Sequence, residues 1–279
     1  MRLSHTGSVG ALLGLALLVS TSCVFIPAPL PSNAQAFTPP AVYKRWWAMT
    51  ETCSGRSGDL NAVRWYSVPG IQFTYRGQTI GGFTTRRTNR IVLAERLVDD
   101  GPAVRHEMLH ALLRRTGHPR SQFLGKCAAL VECEDLCVKD AGPWHPPASN
   151  SLILAPDSLE VFSHAELLPR ESDGERWLEL MVTVRNPRPS AVVAIVPGGK
   201  NVLDTFGYDI RGSSGGHGGD IVDTDSSAVF FKPFEVKQRL IEFRVGFSTR
   251  RAEVLPGTYQ VSGYYGKVKL QPDTVIVAP

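Results

Sequence analysis

Along the second half of the chain, apolar and polar residues alternate with a period of two. Leu178, Leu180, Val182 and Val184 share one face of the run from Trp177 to Arg185, and Asn186-Pro187 stops it. Ile241, Phe243 and Val245 alternate with Glu242, Arg244 and Gly246, and Tyr259, Val261 and Tyr265 with Gln260, Ser262 and Tyr264. Shorter runs follow the same rule at Ala191–Val196, Phe206–Arg211, Val229–Phe231, Lys267–Leu270 and Thr274–Val277. Many short strands between frequent turns predict an all-β antiparallel sandwich over residues 150–279. The tract from Gly212 to Gly219 interrupts the pattern and predicts a loop.

The first half is mixed. Val42–Thr52 has a helical period and contains Trp46 and Trp47. Two adjacent tryptophans cannot share one narrow face, so one is expected inside and the other at the edge. Val63–Val68 reads as a strand ended by Pro69-Gly70, Ile71–Tyr75 and Gly81–Thr85 as a hairpin, and Arg90–Glu95 as a further strand. A well-punctuated helix comes next. Asp99 or Asp100 caps it, Pro102 suits its first turn, and Gly117 suits a left-handed stop. Pro143, Pro146 and Pro147 mark a linker. The expected architecture is an α+β domain over residues 37–145 followed by the sandwich.

Residues 1–36 read differently. Arg2 precedes the small and apolar run Val9–Val19, the pattern of an export signal. Two processing sites compete: Ser20-Thr21-Ser22-Cys23, which resembles a bacterial lipobox, and Ala34-Gln35-Ala36, an ordinary signal-peptidase site. The prolines between Pro27 and Pro40 suit an extended tether, which favours a lipid anchor at Cys23 over simple secretion. Either route places the protein outside the cytoplasm, as a cell-envelope lipoprotein or a secreted protein. Cys53, Cys127, Cys133 and Cys137 remain, an even set for an oxidising compartment. Three of them crowd together, so at least one bridge should tie that cluster to Cys53. The net charge of +4 is spread along the chain and does not form the basic face that nucleic acid needs. The sequence is silent on oligomeric state.

The chemistry lies at His106-Glu107-Met108-Leu109-His110. On a helix, residues i and i+4 project from one face a turn apart, so His106 and His110 can hold one Zn²⁺. Glu107 is rotated about 100° from His106 and can lean over the open side of the ion, where it takes a proton from an activated water.

With this motif the chain resembles the zincin metallopeptidases. The resemblance implies a zincin-like N-terminal domain and an exported zinc metallopeptidase acting on protein or peptide substrates. It makes His106 and His110 zinc ligands and Glu107 the catalytic general base. It also implies an edge strand aligning substrate beside the metal, with Arg90–Glu95 placed for that part. The third ligand departs from the metzincin form, which would need Gly where Leu113 stands and His where Thr116 stands. His118, after Gly117, is the preferred third ligand. Glu132 and Glu134 are the alternatives, as in zincins that take a Glu from a second helix. Leu255–Val261 and Val182–Pro187 resemble strands of bacterial immunoglobulin-like and proteinase-inhibitor-like sandwiches. Two other functions fit the residues: a surface binding or adhesion protein with an inactive zincin-like domain, and a structural zinc site.

Overall fold

The computed structural model describes residues 29–85, 88–133, 137, 152–154, 159–197, 206–212, 215–219, 226–245, 255–265 and 268–278. In chain order the elements of the first half are β1 (Gln35–Ala36), α1 (Val42–Ser54), β2 (Arg64–Val68), β3 (Phe73–Tyr75), β4 (Gln78–Ile80), β5 (Gly82–Thr85), β6 (Arg90–Ala94) and α2 (Gly101–Leu113). A π-type turn follows at Gln122–Lys126. The second half carries β7 (Leu152–Leu154), β8 (Glu160–Leu167), β9 (Arg176–Arg185), β10 (Val192–Pro197), β11 (Phe206–Gly212) and β12 (Gly215–Gly219). It continues with β13 (Ser226–Phe231), β14 (Val236–Val245), β15 (Gly257–Tyr265), β16 (Val268–Lys269) and β17 (Asp273–Val277). The fold is therefore α+β and strand-rich, with its strands gathered in several sheets.

In the first half the sheet order is β1-β2-β6-β5; β2 and β6 run parallel and the other pairs antiparallel. Ile91 and Leu93 of β6 and Trp65 of β2 pack on Val42, Tyr43 and Trp46 of α1 and on Val104, Met108 and Leu112 of α2. The opposite face, with Val68, Val92 and Ala94, is covered by Phe73 of the β3–β4 hairpin. Burial on both faces explains why Ile91-Val92-Leu93-Ala94 is apolar at every position. It also corrects the expected edge: β6 is internal, and β5 is the edge strand. The expected hairpin shifts too, because β3 pairs with β4 through a tight turn at Arg76-Gly77, both with positive φ (50° and 78°). Gly82–Thr85 is thereby released to pair with β6.

In the second half, β14-β9-β8 form one antiparallel sheet. A second follows the order β12-β11-β15-β16, with β17 also on β15, and a third the order β13-β10-β7. Leu178, Leu180, Val182 and Val184 of β9 are buried against Ile210, Tyr259, Val261, Tyr265, Val275 and Val277 of the second sheet, as the period-two pattern predicts. Part of the glycine tract departs from its reading as a loop: Gly215–Gly219 pairs with β11 as β12, through backbone groups that need no side chain.

Part of the reverse face of β9 and β14 is covered by the first half of the chain. Trp177 stacks edge-on against Trp46, ring centroids 5.2 Å apart, and joins the core of the first half. Arg45 pairs with Glu171 and Glu179. Both tryptophans of α1 are consequently buried, at 0% and 5% exposure, unlike the inside-and-edge expectation. Each has its own partner: Trp46 meets Trp177, and Trp47 fits over Gly58, where a Cβ would come within 2.9 Å of its ring. Trp177→Ala is expected to cost about 3–5 kcal/mol in denaturant unfolding, the usual loss for a large buried ring. A loss below about 1 kcal/mol would mean that the two halves merely touch.

The bridges are Cys53–Cys127 and Cys133–Cys137, so the cysteine cluster is tied to Cys53 as its crowding predicts. Residues 1–28, with the signal and Cys23, and residues 138–151, with the proline linker, lie outside the described residues. No helix among the described residues is long and apolar enough to cross a membrane.

Candidate metal centre

Asp100 starts α2 as expected, its carboxylate accepting from the Ala103 backbone N–H at 3.2 Å, with Pro102 in the first turn. The stop differs. Arg114, and not Gly117, takes the left-handed conformation (φ 51°), and the helix ends at Leu113. The earlier stop turns the chain at once. It sets the Arg115 carbonyl 3.0 Å from His110 Nδ1 and brings His118 back over the helix face.

His106, His110 and His118 meet there. Their Nε2 atoms form a near-equilateral triangle, 3.1 Å for His106–His110, 3.1 Å for His110–His118 and 3.2 Å for His106–His118. Two Nδ1 atoms are engaged elsewhere, His106 with the Glu132 carbonyl at 2.5 Å and His110 with that of Arg115. A carbonyl only accepts, so each Nδ1 carries the proton and each of these Nε2 atoms presents a lone pair. Lone pairs converging at about 3 Å repel unless a cation lies between them. Tetrahedral zinc, with Zn–N of about 2.0–2.1 Å, sets its nitrogens about 3.3 Å apart, so the donor set and spacing fit such an ion. Among the described residues this is the one cluster of three such donors close enough to share a metal.

The floor beneath the trio is Phe123, fully buried on the π-type turn, with its ring centroid 4.9, 4.8 and 4.9 Å from those of His106, His110 and His118. It was not singled out by the sequence, because a lone Phe in a polar segment carries no signal of what it supports. Neither was Thr84 of β5. Its hydroxyl donates to Glu107 Oε2 at 2.8 Å and lies 2.9 Å from the Glu107 carbonyl. Gly82 on the same strand lets the carboxylate approach the backbone, since a Cβ there would come 3.0 Å from Glu107 Oε1. Burial pushes Glu107 up to about 7, against the opposing effect of the Thr84 hydrogen bond. Glu132 enters through its main-chain carbonyl on His106, while Glu134 lies outside the described residues.

Burial also lowers the imidazoles. His106 falls to about 4, with the His118 ring adding to the effect and the Glu132 carbonyl opposing it. His110 lies well below its ordinary value for the same first reason, then through His106 and His118. The consequence for stability has a definite sign. Between about 4 and 6.5 the unfolded chain binds protons that the two folded rings refuse, so their contribution to stability falls as pH drops through this window. Glu107, raised to about 7, binds its proton first in the folded chain and offsets part of the fall. Chelator-treated protein should show a falling urea midpoint from pH 6.5 downwards, less steep in His106→Gln. Equal slopes in the two proteins would contradict the buried neutral state of His106.

No family model matches the chain, and no curated protein matches it. Solved structures give distant likenesses. The alkylpurine DNA glycosylase AlkC of Pseudomonas fluorescens, bound to DNA with an abasic site analog, is 14% identical over 44% of this chain and 31% of its own, with a TM-score of 0.27. The putative ApaA protein of Bordetella pertussis is 15% identical over 43% of this chain and 88% of its own, with a TM-score of 0.23. A β-glucosidase of Listeria innocua in complex with gluconolactone is 14% identical over 43% and 16%, with a TM-score of 0.22. The chain thus spans less than a third of the first of these, and scores this low carry no argument about fold or activity.

Proposed function

We propose that the protein is an exported zinc-dependent peptidase of zincin type, with an immunoglobulin-like sandwich as its C-terminal part. The observation that carries the reading is the convergence of three imidazole Nε2 atoms, two of them from the helix that also buries Glu107. Zinc held by His106, His110 and His118 would polarise the scissile carbonyl and acidify the attacking water. Glu107, held by Thr84 of the strand β5, would take the proton from that water and pass it to the leaving amine. Among the described residues no strand pairs with the outer edge of β5, where an extended peptide would add by main-chain pairing, a mode that needs little side-chain specificity.

Anchoring through Cys23 is the processing route we favour. The structure corrects the expected tether from residue 29 onwards: Gln35–Ala36 is strand β1, paired with β2, and Leu30 and Ala34 pack against the core under the β3–β4 hairpin. Cleavage after Ala36 would strip that strand from the sheet, whereas acylation at Cys23 leaves it in place.

The test is metal content together with hydrolysis of an unstructured protein such as casein, before and after a strong chelator and again after zinc is restored. The expected result is one zinc per chain and activity that follows it. Zinc bound to an inactive protein that unfolds on chelation would indicate a structural site. A zinc-free, inactive protein would favour a binding or adhesion role.

A further inference from the structure

Four consecutive carbonyls, those of Ala129, Leu130, Val131 and Glu132, are each held by a different donor. Ala129 O accepts from the Leu240 backbone N–H at 2.9 Å, Leu130 O from Arg105 Nε at 2.7 Å, Val131 O from Arg239 Nη1 at 2.8 Å, and Glu132 O from His106 Nδ1. Two of the donors, Leu240 and Arg239, belong to β14 in the second half of the chain. The segment therefore lies along the edge of β14 not paired with β9, and its far end orients a metal-site imidazole.

The same strand grips α2 directly. Glu242, whose side chain is 1% exposed, pairs with Arg105, which is 0% exposed and immediately precedes His106. Its other oxygen accepts from Trp46 Nε1 at 2.8 Å and lies 3.4 Å from Arg45. The carboxylate sits so close to the first turn of α2 that a Cβ on Gly101 would collide with it. Burying a carboxylate and a guanidinium is costly, and removing either partner leaves the other charge buried and uncompensated.

We infer that Glu242 and Arg239 are positioning residues for the histidine site, so that the C-terminal half sets the orientation of His106 through the carbonyl ladder 129–132 and through Arg105. This rests on the metal-site reading above. Partners of this kind, one step removed from the ligands, typically change metal affinity by 10–100-fold.

The experiment uses the full chain. Zinc affinity is measured by competition with a chromophoric chelator, the visible spectrum is recorded with cobalt(II), and thermal unfolding is followed in parallel. Arg239→Ala and Glu242→Gln should each weaken zinc about 10–100-fold and alter the cobalt(II) bands, and Arg239→Lys should recover most of the affinity. Val261→Ala, in the sandwich core on β15, should lower the melting temperature and leave zinc affinity unchanged. If Glu242→Gln fails to fold, Arg239→Ala and its lysine rescue decide. Unchanged affinity and spectrum in Arg239→Ala, or an equal loss in Val261→Ala, would overturn the inference alone. A wild-type chain that binds neither ion would overturn it together with the metal reading beneath it.

Discussion

Glu107→Gln is expected to lower peptide hydrolysis by about 10³-fold or more while zinc stays bound. The two roles are separate in the geometry. The imidazoles converge on one point, and the Glu107 carboxylate is held apart from them by Thr84 at 2.8 Å. A glutamine keeps the carbonyl oxygen that Thr84 needs, so the side chain can stay in place and lose only its basicity. The pH profile should carry the same information. Burial, offset in part by the Thr84 hydrogen bond, sets Glu107 at about 7, and a divalent cation nearby would draw it down towards its ordinary value. A base must be ionised to act, so kcat/KM should rise with pH along an acidic limb between about 4.5 and 7. Turnover within tenfold of the wild type in Glu107→Gln would remove it as the base.

The helix of His106 and His110 was legible because three independent signals agree on it: the Asp100 cap, Pro102 and the i, i+4 spacing. The strands of the second half were legible for a similar reason, since Leu178 to Val184 alternate without a break. Local pattern misleads where tertiary contacts decide. Arg90–Ala94 reads as any apolar strand, and only its second buried face makes it internal. Its neighbour β5 is polar and short, as edge strands are, and so gave the weaker signal. Arg114 ends α2 in a conformation that most residues avoid. Glycine at 117 was the better local choice, but the Arg115 carbonyl has to reach His110. Arg105 and Glu242 lie 137 residues apart, and nothing in either segment announces a buried pair. Phe123 and Thr84 belong to the same class, because their meaning lies wholly in what they touch.

The third ligand separates two arrangements that the sequence left open. His118→Ala should lose zinc under dialysis that the wild type survives, with affinity down by orders of magnitude. With His118 gone, two imidazoles remain, and water must complete the set at a larger entropic cost. Phe123 would then face a gap on one side, so His106 and His110 also lose part of their packing. Glu132→Gln should keep the metal, because Glu132 acts on His106 through its main-chain carbonyl, which the substitution leaves in place. Glu134→Gln should keep it as well, since the three histidines already leave a fourth position for water. The discriminating measurement is zinc per chain after dialysis of the three variants side by side. Metal lost only in a glutamate variant would exchange the three-histidine arrangement for one in which the acidic segment reaches the ion and His118 serves another purpose.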